Sequence, residues 1–285
     1  MITAMPRIAI AVDDFARAVT TFRDGFGMPV FDFSDTTVPE LGAHVGMCQP
    51  VGGSNIELMS PANPEQALSQ ALQKFLDHRG QGLYALMLEA PDPNAEAAEL
   101  LQRGVKVLPL MPGAGGRDIH PSATHGVLIR IYPNNSVSDK GGREIADPAI
   151  SGIVRVIVAT TDAVKAADVY RTGLGLDVAA PIADEARGVL TATCRPPKGG
   201  IIELVSVIDS TAPFAAHVAR FLERKGEGMF ALVLQADDPP AAARLLSGRG
   251  VSVDADVGRA SIGVTSVSAF GTRLLIDKPS GGGNG

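Results

Sequence analysis

Short apolar runs and helical patterns alternate in a fixed order along the first part of the chain. Residues 7–12 form an apolar, β-branched run that predicts a strand. The aspartates at 13–14 can cap a helix, and Phe15, Val19 and Phe22 share one face of that predicted helix. Three further strand-like runs, separated by Pro and Gly, lie at residues 28–33, 43–48 and 55–60. The predicted order is β-α-β-β-β.

The same order begins again after a connecting helix. Residues 65–79 carry apolar side chains at helical spacing and predict an amphipathic helix. The pattern that follows predicts a strand at 83–89, a helix at 94–102 and strands at 105–110 and 126–132. The first half of the chain therefore holds two such units in succession.

The second half of the chain repeats the first. The segment FRDGFG at 22–27 returns as YRTGLG at 170–175, and GLYAL at 82–86 returns as GMFAL at 228–232. Chance does not give ordered matches at nearly constant spacing, so the chain is predicted to be a tandem duplication with four β-α-β-β-β units.

This duplication predicts two domains joined by a linker. Residues 1–133 would form the first domain and residues 152–279 the second, which is expected to be degenerate. Residues 134–151 lack periodicity and are rich in Asn, Ser, Asp and Gly, a composition typical of a linker. The Gly-rich residues 280–285 predict a disordered tail.

Composition and charge exclude several function classes. The formal net charge is −6 and Lys and Arg form no basic run, which argues against nucleic acid and anionic membranes as partners. The sequence shows neither an apolar stretch of membrane-spanning length nor the pattern of a secretory leader, so a cytoplasmic location is expected. Cys48 and Cys194 are too few for a disulfide framework and are expected to be buried. The expected partner is a small molecule, bound by a monomer or a homodimer.

Four short motifs stand on the predicted strands. They are the opening run at 7–12, NIELMSP at 55–61, GLYALMLE at 82–89, and the His-Pro pair at 120–121 followed by GVLI at 126–129. Together they resemble the vicinal oxygen chelate superfamily, which includes glyoxalase I, methylmalonyl-CoA epimerase, extradiol dioxygenases and bleomycin-resistance proteins. The resemblance implies an α+β fold in which four βαβββ modules form two cupped mixed β-barrels with helices outside.

The same resemblance implies a divalent cation held by His, Glu or Gln, His and Glu from the opening and closing strands of the modules. In the first half these positions carry Arg7, Glu57, Ala85 and Arg130. In the second half they carry Arg155, Glu203, Ala231 and Leu275. Arginine only donates hydrogen bonds, and the side chains of alanine and leucine offer no metal ligand. One carboxylate is too little for a divalent site, so no metal is expected. No Gly-rich loop of P-loop or Rossmann spacing lies between a predicted strand and helix, so no nucleotide cofactor is expected either.

Glu57, Arg7 and Arg130 are candidates for acid–base chemistry on an organic anion. Glu57 is the candidate general base, because the corresponding glutamate moves protons in the relatives. Arg7 could supply the positive charge that a metal gives elsewhere, and Arg130 interrupts an apolar strand where it could hold a substrate carboxylate or enolate. The structural alternative is that either arginine pairs with Glu57. Arg155 and Glu203 repeat the first pair in the second half.

Tyr84, His120 and His125 complete the candidate site of the first half. A phenol or an imidazole beside a cavity can move a proton, so Tyr84 and His125 are catalytic candidates, and His120 is a substrate-binding candidate. The alternatives are a core tyrosine and two solvated loop histidines. Phe230 replaces Tyr84 in the second half, which also lacks the His-Pro loop, so one working pocket in the first half is expected. An exchange of modules between the halves would instead bring residues of both halves into one pocket.

Three functions remain open at this stage. The first is a metal-independent lyase or isomerase that acts on a small oxygenated substrate through Glu57 and the arginines. The second is a non-catalytic protein of the bleomycin-resistance type that binds or sequesters a small ligand. The third is a metal-dependent lyase or dioxygenase with a non-standard ligand set, such as Glu57 with His44 or His125.

Overall fold

The computed structural model describes residues 1–34, 41–111, 113, 115–136, 150–254 and 262–278. The predicted tail at 280–285 and most of the predicted linker at 134–151 lie outside the described residues.

The first half builds a mixed sheet and three helices from its described residues. The strands are β1 Ala4–Ala11, β2 Val30–Asp32, β3 Ala43–Cys48, β4 Gly52–Gly53, β5 Asn55–Pro61, β6 Gly82–Ala90, β7 Arg117–Ile119 and β8 Leu128–Pro133. The helices are α1 Phe15–Thr20, α2 Ala67–Arg79 and α3 Pro93–Gln102. The sheet has the order β2-β3-β5-β1-β6-β8-β7. Strand β1 is parallel to β5 and antiparallel to β6, so it joins the two modules of this half.

The second half repeats this arrangement. Its strands are β9 Gly152–Ala159, β10 Asp177–Val178, β11 Ile182–Asp184, β12 Val189–Arg195, β13 Ile201–Val207, β14 Gly228–Gln235, β15 Val253–Asp254, β16 Ile262–Val264 and β17 Leu274–Asp277. Its helices are α4 Ala163–Asp168, α5 Pro213–Lys225 and α6 Pro239–Gly248. Strand β9 is parallel to β13 and antiparallel to β14, as β1 is to β5 and β6. The modules therefore pair within each half, and β4 crosses over to lie parallel to β9.

Aspartates fix the starts of the short helices that follow β1 and β9. The side chain of Asp14 accepts a hydrogen bond from the backbone N–H of Arg17, and Asp162 accepts from the N–H groups of Val164 and Lys165. These caps satisfy N–H groups that have no partner within the helix. The N-cap predicted at residues 13–14 is therefore present, and Asp162 is its counterpart in the second half.

Each of these helices continues into a π-helical turn, at Thr21–Gly25 and Val169–Gly173, whose last glycine lies against the other half. A Cβ at Gly25 would lie 2.8 Å from Cγ2 of Val251, and one at Gly173 would lie 3.2 Å from Cγ2 of Val105. The halves approach so closely here that a side chain at either position would displace its neighbour.

The strands of the two sheets share an apolar core on one face. Ile8 and Leu86 of the first sheet belong to the same buried cluster as Val156 and Leu232 of the second. Every second residue along these strands faces the shared core, because successive side chains of a strand point to opposite faces of the sheet. The halves therefore pack through a common core.

The opposite face of each sheet, here called the inner face, is covered by a helix. In the first half it carries Ala9, Met59, Ala85 and Met87, and α2 packs on it. In the second half α5 packs on the inner face in the same way. The predicted α+β fold with cupped sheets is confirmed, although the sheets do not close into barrels, and α2 and α5 pack on the inner faces.

One predicted strand of the first half is wrong. At 105–110 only Val107 forms an isolated bridge, to Ile119, and the edge strand is β7. Pro109 has no backbone N–H to donate to a ladder, which explains the interruption. Within the described part of the chain, no helix is long and apolar enough to cross a membrane.

Candidate functional site

Arg7 and Glu57 form a buried ion pair on the inner face of the first sheet. Arg7 Nε lies 3.0 Å from Glu57 Oε2, but the two groups lack the alignment of a hydrogen bond. The guanidinium of Arg7 also lies over the ring of Tyr132, with Cζ 4.2 Å from the ring centroid. The contact is therefore electrostatic, and the charge of Arg7 is shared between a carboxylate and an aromatic face.

Arg130 has a partner that the sequence analysis missed. Its Nε and Nη2 donate to the two carboxylate oxygens of Asp118 at 2.6 and 2.5 Å. The register places Asp118 directly across from Arg130 on the antiparallel strand β7. Burial disfavours the charged guanidinium, but the hydrogen bonds to Asp118 outweigh this effect and raise the pKa of Arg130. Because Asp118 occupies this fork, the predicted role of Arg130 as a free holder of a substrate carboxylate does not fit.

Arg155 and Glu203 form the corresponding pair in the second half. Arg155 Nη1 donates to Glu203 Oε2 at 3.0 Å, while Arg187 and Thr191 donate to Oε1. Burial opposes the charged carboxylate of Glu203, but Arg187 and, less strongly, Arg155 outweigh this effect and lower the pKa of Glu203. Arg155 also lies 3.4 Å from Asp277. Both carboxylate oxygens of Glu203 therefore have partners within the protein, whereas the buried Nε of Arg155 has no hydrogen-bond partner among the described residues.

The inner faces do not fit the metal that the family resemblance implies. Two of the four implied positions of the first half hold guanidinium groups, which are already paired with Glu57 and Asp118. A third position is Ala85, which is buried in the cluster under α2. Among the described residues, no group of three or more His, Cys, Asp and Glu side chains could hold a metal ion. At the implied positions, a divalent cation would be repelled by two guanidinium groups, and the one carboxylate there, that of Glu57, is already paired with Arg7.

His125 lies at the junction of the halves instead of over an inner face. Its Nδ1 is 3.0 Å from Oε2 of Glu227. The other oxygen, Oε1, accepts hydrogen bonds from the N–H and the hydroxyl of Thr161. His125 thus connects the loop before β8 to the second half.

A cleft of about 920 Å³ lies between the C-terminal parts of α2 and α5. It is also lined by the first residues of β6 and β14 and by the loops that precede β8 and β17. Tyr84 and His120 line it, whereas Arg7, Glu57, His125 and Arg130 lie elsewhere. The structure therefore separates the predicted site residues, and the cleft belongs to both halves instead of the first alone.

The two halves contribute matching aromatic pairs to the walls of the cleft. Phe75 contacts Tyr84 edge to face, with ring centroids 5.2 Å apart. Phe221 contacts Phe230 in the same way at 5.5 Å. Burial raises the pKa of Tyr84 to about 12, so its phenol stays protonated near neutral pH. These aromatic pairs thus offer flat apolar surface, and the phenol of Tyr84 is the one hydroxyl that they carry.

The charged residues that line the cleft, as far as the structure describes them, are all cationic. They are Lys74, Arg79, Arg220, Arg224, Lys225 and Arg273, and neither Asp nor Glu is among these described lining residues. Two of them also tie the helix ends together, since Arg79 donates to the carbonyl of Lys225, and Lys225 Nζ donates to the carbonyl of Arg79 at 3.1 Å. In a chain of net charge −6, this concentration of positive charge is a local exception.

The electrostatics of the cleft favour an anion. Burial of the Lys225 amine, together with the charges of Arg79 and Arg224, lowers the pKa of Lys225. Burial and the charge of Arg220 likewise lower the pKa of Arg273, against the opposing effect of Asp254. Both cations are held where their charge is disfavoured, and a negative group in the cleft would relieve this repulsion.

His120 presents a defined face to the cleft. Its Nδ1 accepts a hydrogen bond from the N–H of Ser122 at 3.0 Å, so the neutral ring carries its proton on Nε2. The loop that holds it, Pro121–Ala123, is a short 3-10 turn capped by this same contact. His120 can therefore act as a hydrogen-bond donor in the cleft.

Comparison with known proteins agrees with this fold. Residues 7–120 match the model of the family described as "Glyoxalase/Bleomycin resistance protein/Dioxygenase superfamily". No curated protein matches the chain.

Two solved structures resemble the whole chain, and a third covers about half of it. A triple mutant of 4-hydroxymandelate synthase from Streptomyces coelicolor superposes with a TM-score of 0.70 at 15% identity, over 98% of this chain and 92% of that one. A xylose isomerase-like TIM barrel/4-hydroxyphenylpyruvate dioxygenase fusion protein gives 0.63 at 13% identity, over 100% of this chain and 50% of that one. Methylmalonyl-CoA epimerase from Mycobacterium tuberculosis gives 0.42 at 22% identity, over 48% of this chain and 94% of that one. At these identities the first two likenesses show the fold, and the third carries no argument.

Proposed function

We propose that this chain binds a small organic anion in the cleft between its two halves. Its residues 7–120 carry a domain of the Glyoxalase/Bleomycin resistance protein/Dioxygenase superfamily. The observation that carries the proposal is the cleft itself, in which aromatic walls meet a set of cationic side chains. Small-molecule sites are typically apolar concavities of about 300–1,000 Å³ with a few polar groups that fix orientation, and this cleft has that character.

The proposal favours binding over the lyase or isomerase chemistry expected from Glu57. That mechanism needs a base beside the substrate, but Glu57 is buried on the inner face against Arg7, outside the cleft. No carboxylate belongs to the described lining of the cleft. Binding requires only the complementarity that the cleft provides.

A metal-independent lyase or isomerase acting in this same cleft is the second candidate, because His120 and Tyr84 line it. The test uses phenylpyruvate, an aromatic anion, and follows by NMR the exchange of its acidic C3 protons, which lie next to the keto group, for deuterium. Exchange that depends on the protein and falls in His120→Gln supports this candidate. Exchange no faster than in buffer leaves binding as the function.

The binding proposal is tested with anilinonaphthalene sulfonate, an aromatic anion, by isothermal titration calorimetry. Ala71 lines the cleft on α2, and Ala71→Trp would place an indole in it. Gln73 lies on the same helix outside the cleft and is exposed, so Gln73→Trp is the matched control. We expect one probe per chain, bound by the wild type and the control and lost in Ala71→Trp. Absence of binding to the wild type, or equal binding by both variants, would contradict the proposal.

A further inference from the structure

Two arginines of the second half converge on one imidazole in the cleft. Nη2 of Arg220 and Nη2 of Arg273 each lie 3.2 Å from Nδ1 of His217. A guanidinium has donors only, so Nδ1 accepts from both arginines. His217 thus holds two positive groups close together although like charges repel. Each guanidinium has five N–H groups and can hold His217 and an oxyanion at once.

The position of Arg273 is fixed by an aromatic ring. Its Cζ lies 5.2 Å from the ring centroid of Phe230, which itself packs edge to face on Phe221. Stacking of this kind orients a guanidinium without using its N–H groups. Arg273 is therefore positioned for a ligand before the ligand arrives.

The first half lacks this arrangement at the matching places. Ala71 corresponds to His217 on the connecting helix, and Lys74 corresponds to Arg220. The residue that corresponds to Arg273 at the start of the closing strand is Leu128. The repeats share the aromatic pairs and the glycines around the cleft but differ in these cations, so the cleft has one strongly cationic end and one weaker end.

We propose that His217, Arg220 and Arg273 form an oxyanion subsite, and that the ligand is an aromatic or similarly flat apolar molecule with a single oxyanion head group. This inference rests on the proposed binding function and adds the ligand class and its orientation. The head group lies between the guanidiniums of Arg220 and Arg273, where bidentate hydrogen bonds to a carboxylate or phosphate are available. The apolar body lies between the Phe221–Phe230 and Phe75–Tyr84 pairs.

The test compares two probes that differ in charge. Anilinonaphthalene sulfonate carries the aromatic body and an oxyanion, and N-phenylnaphthylamine has the same body without the sulfonate. Arg220→Gln and Arg273→Gln are each expected to weaken the sulfonate by about tenfold or more, since each removes hydrogen bonds to a charged group. Binding of the uncharged probe should stay within about twofold of wild type. Arg244 on α6 is exposed and outside the cleft, so Arg244→Gln is the control with the same change of charge.

A thermal denaturation of each variant separates binding from folding. Burial and Arg220 disfavour the charge of Arg273, so Arg273→Gln should unfold at the wild-type temperature or above it. A variant that loses the sulfonate and keeps its midpoint supports the subsite. If Arg273→Gln unfolds below the wild-type temperature, Arg273→Lys replaces it in the comparison. Lysine keeps the positive charge but lacks the two-pronged guanidinium, so Arg273→Lys is also expected to bind the sulfonate less tightly.

The outcomes distinguish the two proposals. Loss of the sulfonate alone in both arginine variants supports the subsite, and displacement by naphthoate or by naphthyl phosphate then identifies which oxyanion it prefers. If each probe binds every variant with its wild-type affinity, the subsite is overturned and the binding function stays intact. If neither probe binds the wild type, the binding function itself fails. Failure of both naphthoate and naphthyl phosphate to displace the sulfonate would also overturn the subsite.

Discussion

The buried pair of Arg130 and Asp118 gives the sharpest prediction about stability. The side chains of Arg130 and Asp118 are only 8% and 10% exposed, and two short hydrogen bonds join them. Asp118→Ala would leave the guanidinium buried without its carboxylate partner. Removing one partner of a buried pair typically costs about 3–5 kcal/mol, and we expect that loss here because no other carboxylate reaches Arg130 in the described contacts.

The second half supplies the control for this variant. In its sheet, the register places Gly263 across from Leu275, where the first sheet has Asp118 across from Arg130. A double variant, Asp118→Ala with Arg130→Leu, gives the first half a similarly apolar pair. Replacing both charges by apolar groups should return the free energy of unfolding to within about 1 kcal/mol of wild type.

Urea unfolding followed by far-ultraviolet circular dichroism measures both variants, because the chain has no tryptophan to report by fluorescence. A midpoint that falls for Asp118→Ala and recovers in the double variant is the expected result. A single variant that loses less than about 1 kcal/mol would refute the reasoning, since the pair would then behave as a solvated surface contact. A double variant no more stable than the single one would show that the charges stabilise this sheet.

Three further predictions concern charges and metal. Glu203→Gln should lower the free energy of unfolding by about 3–5 kcal/mol in the same urea assay, because it removes the negative charge shared by Arg155 and Arg187 and one of the two acceptor oxygens. Glu57→Gln should cost less, because the contact of Glu57 with Arg7 is not a hydrogen bond. Equal losses would contradict this ranking. Burial opposes the charged carboxylate of Glu227, but Thr161 and His125 outweigh this effect and lower the pKa of Glu227. The stability that this carboxylate contributes is therefore fully present above its ordinary pKa of 4.5 and is lost as the pH falls further. Thermal midpoints measured across this acidic range should fall less steeply for Glu227→Gln than for wild type, and parallel curves would argue against a role for the carboxylate. The chain is incubated with manganese, cobalt, nickel or zinc and dialysed, and its metal content is then measured by elemental analysis. We expect well below one equivalent of metal, because guanidinium groups occupy the implied ligand positions. One retained equivalent would show that the positions were assigned wrongly.

Much of the fold could be predicted because its signals are local and repeated. Apolar runs with a period of two marked the strands, and the strand at Ala43–Cys48 begins and ends where the pattern predicted. The aspartate caps and the repeated glycines were also visible in the sequence. The Arg7–Glu57 contact could be anticipated because the register of parallel strands β1 and β5 brings both to one face.

The candidate site was harder to predict because it depends on contacts between distant segments. Asp118 was missed as the partner of Arg130 since the edge strand was assigned to 105–110 instead of β7. The cleft was missed because its cations come from α2, from α5 and from the loop before β17, which lie far apart in the sequence. Three of these cations, Arg79, Arg224 and Lys225, lie in the last turns of the two helices. In either helix alone, such residues are typical of a C-terminus that favours positive charge, and only the packing of the halves brings them together.

The central claim is that the ligand site lies between the halves and not on an inner face. The most direct measurement is a crystal structure grown with bromobenzenesulfonate, with the bromine located by its anomalous signal. We expect the bromine between the Phe75–Tyr84 and Phe221–Phe230 pairs, with the sulfonate at Arg220 and Arg273. A bromine peak beside Glu57 under α2, or no peak in the cleft at saturating probe, would contradict the claim.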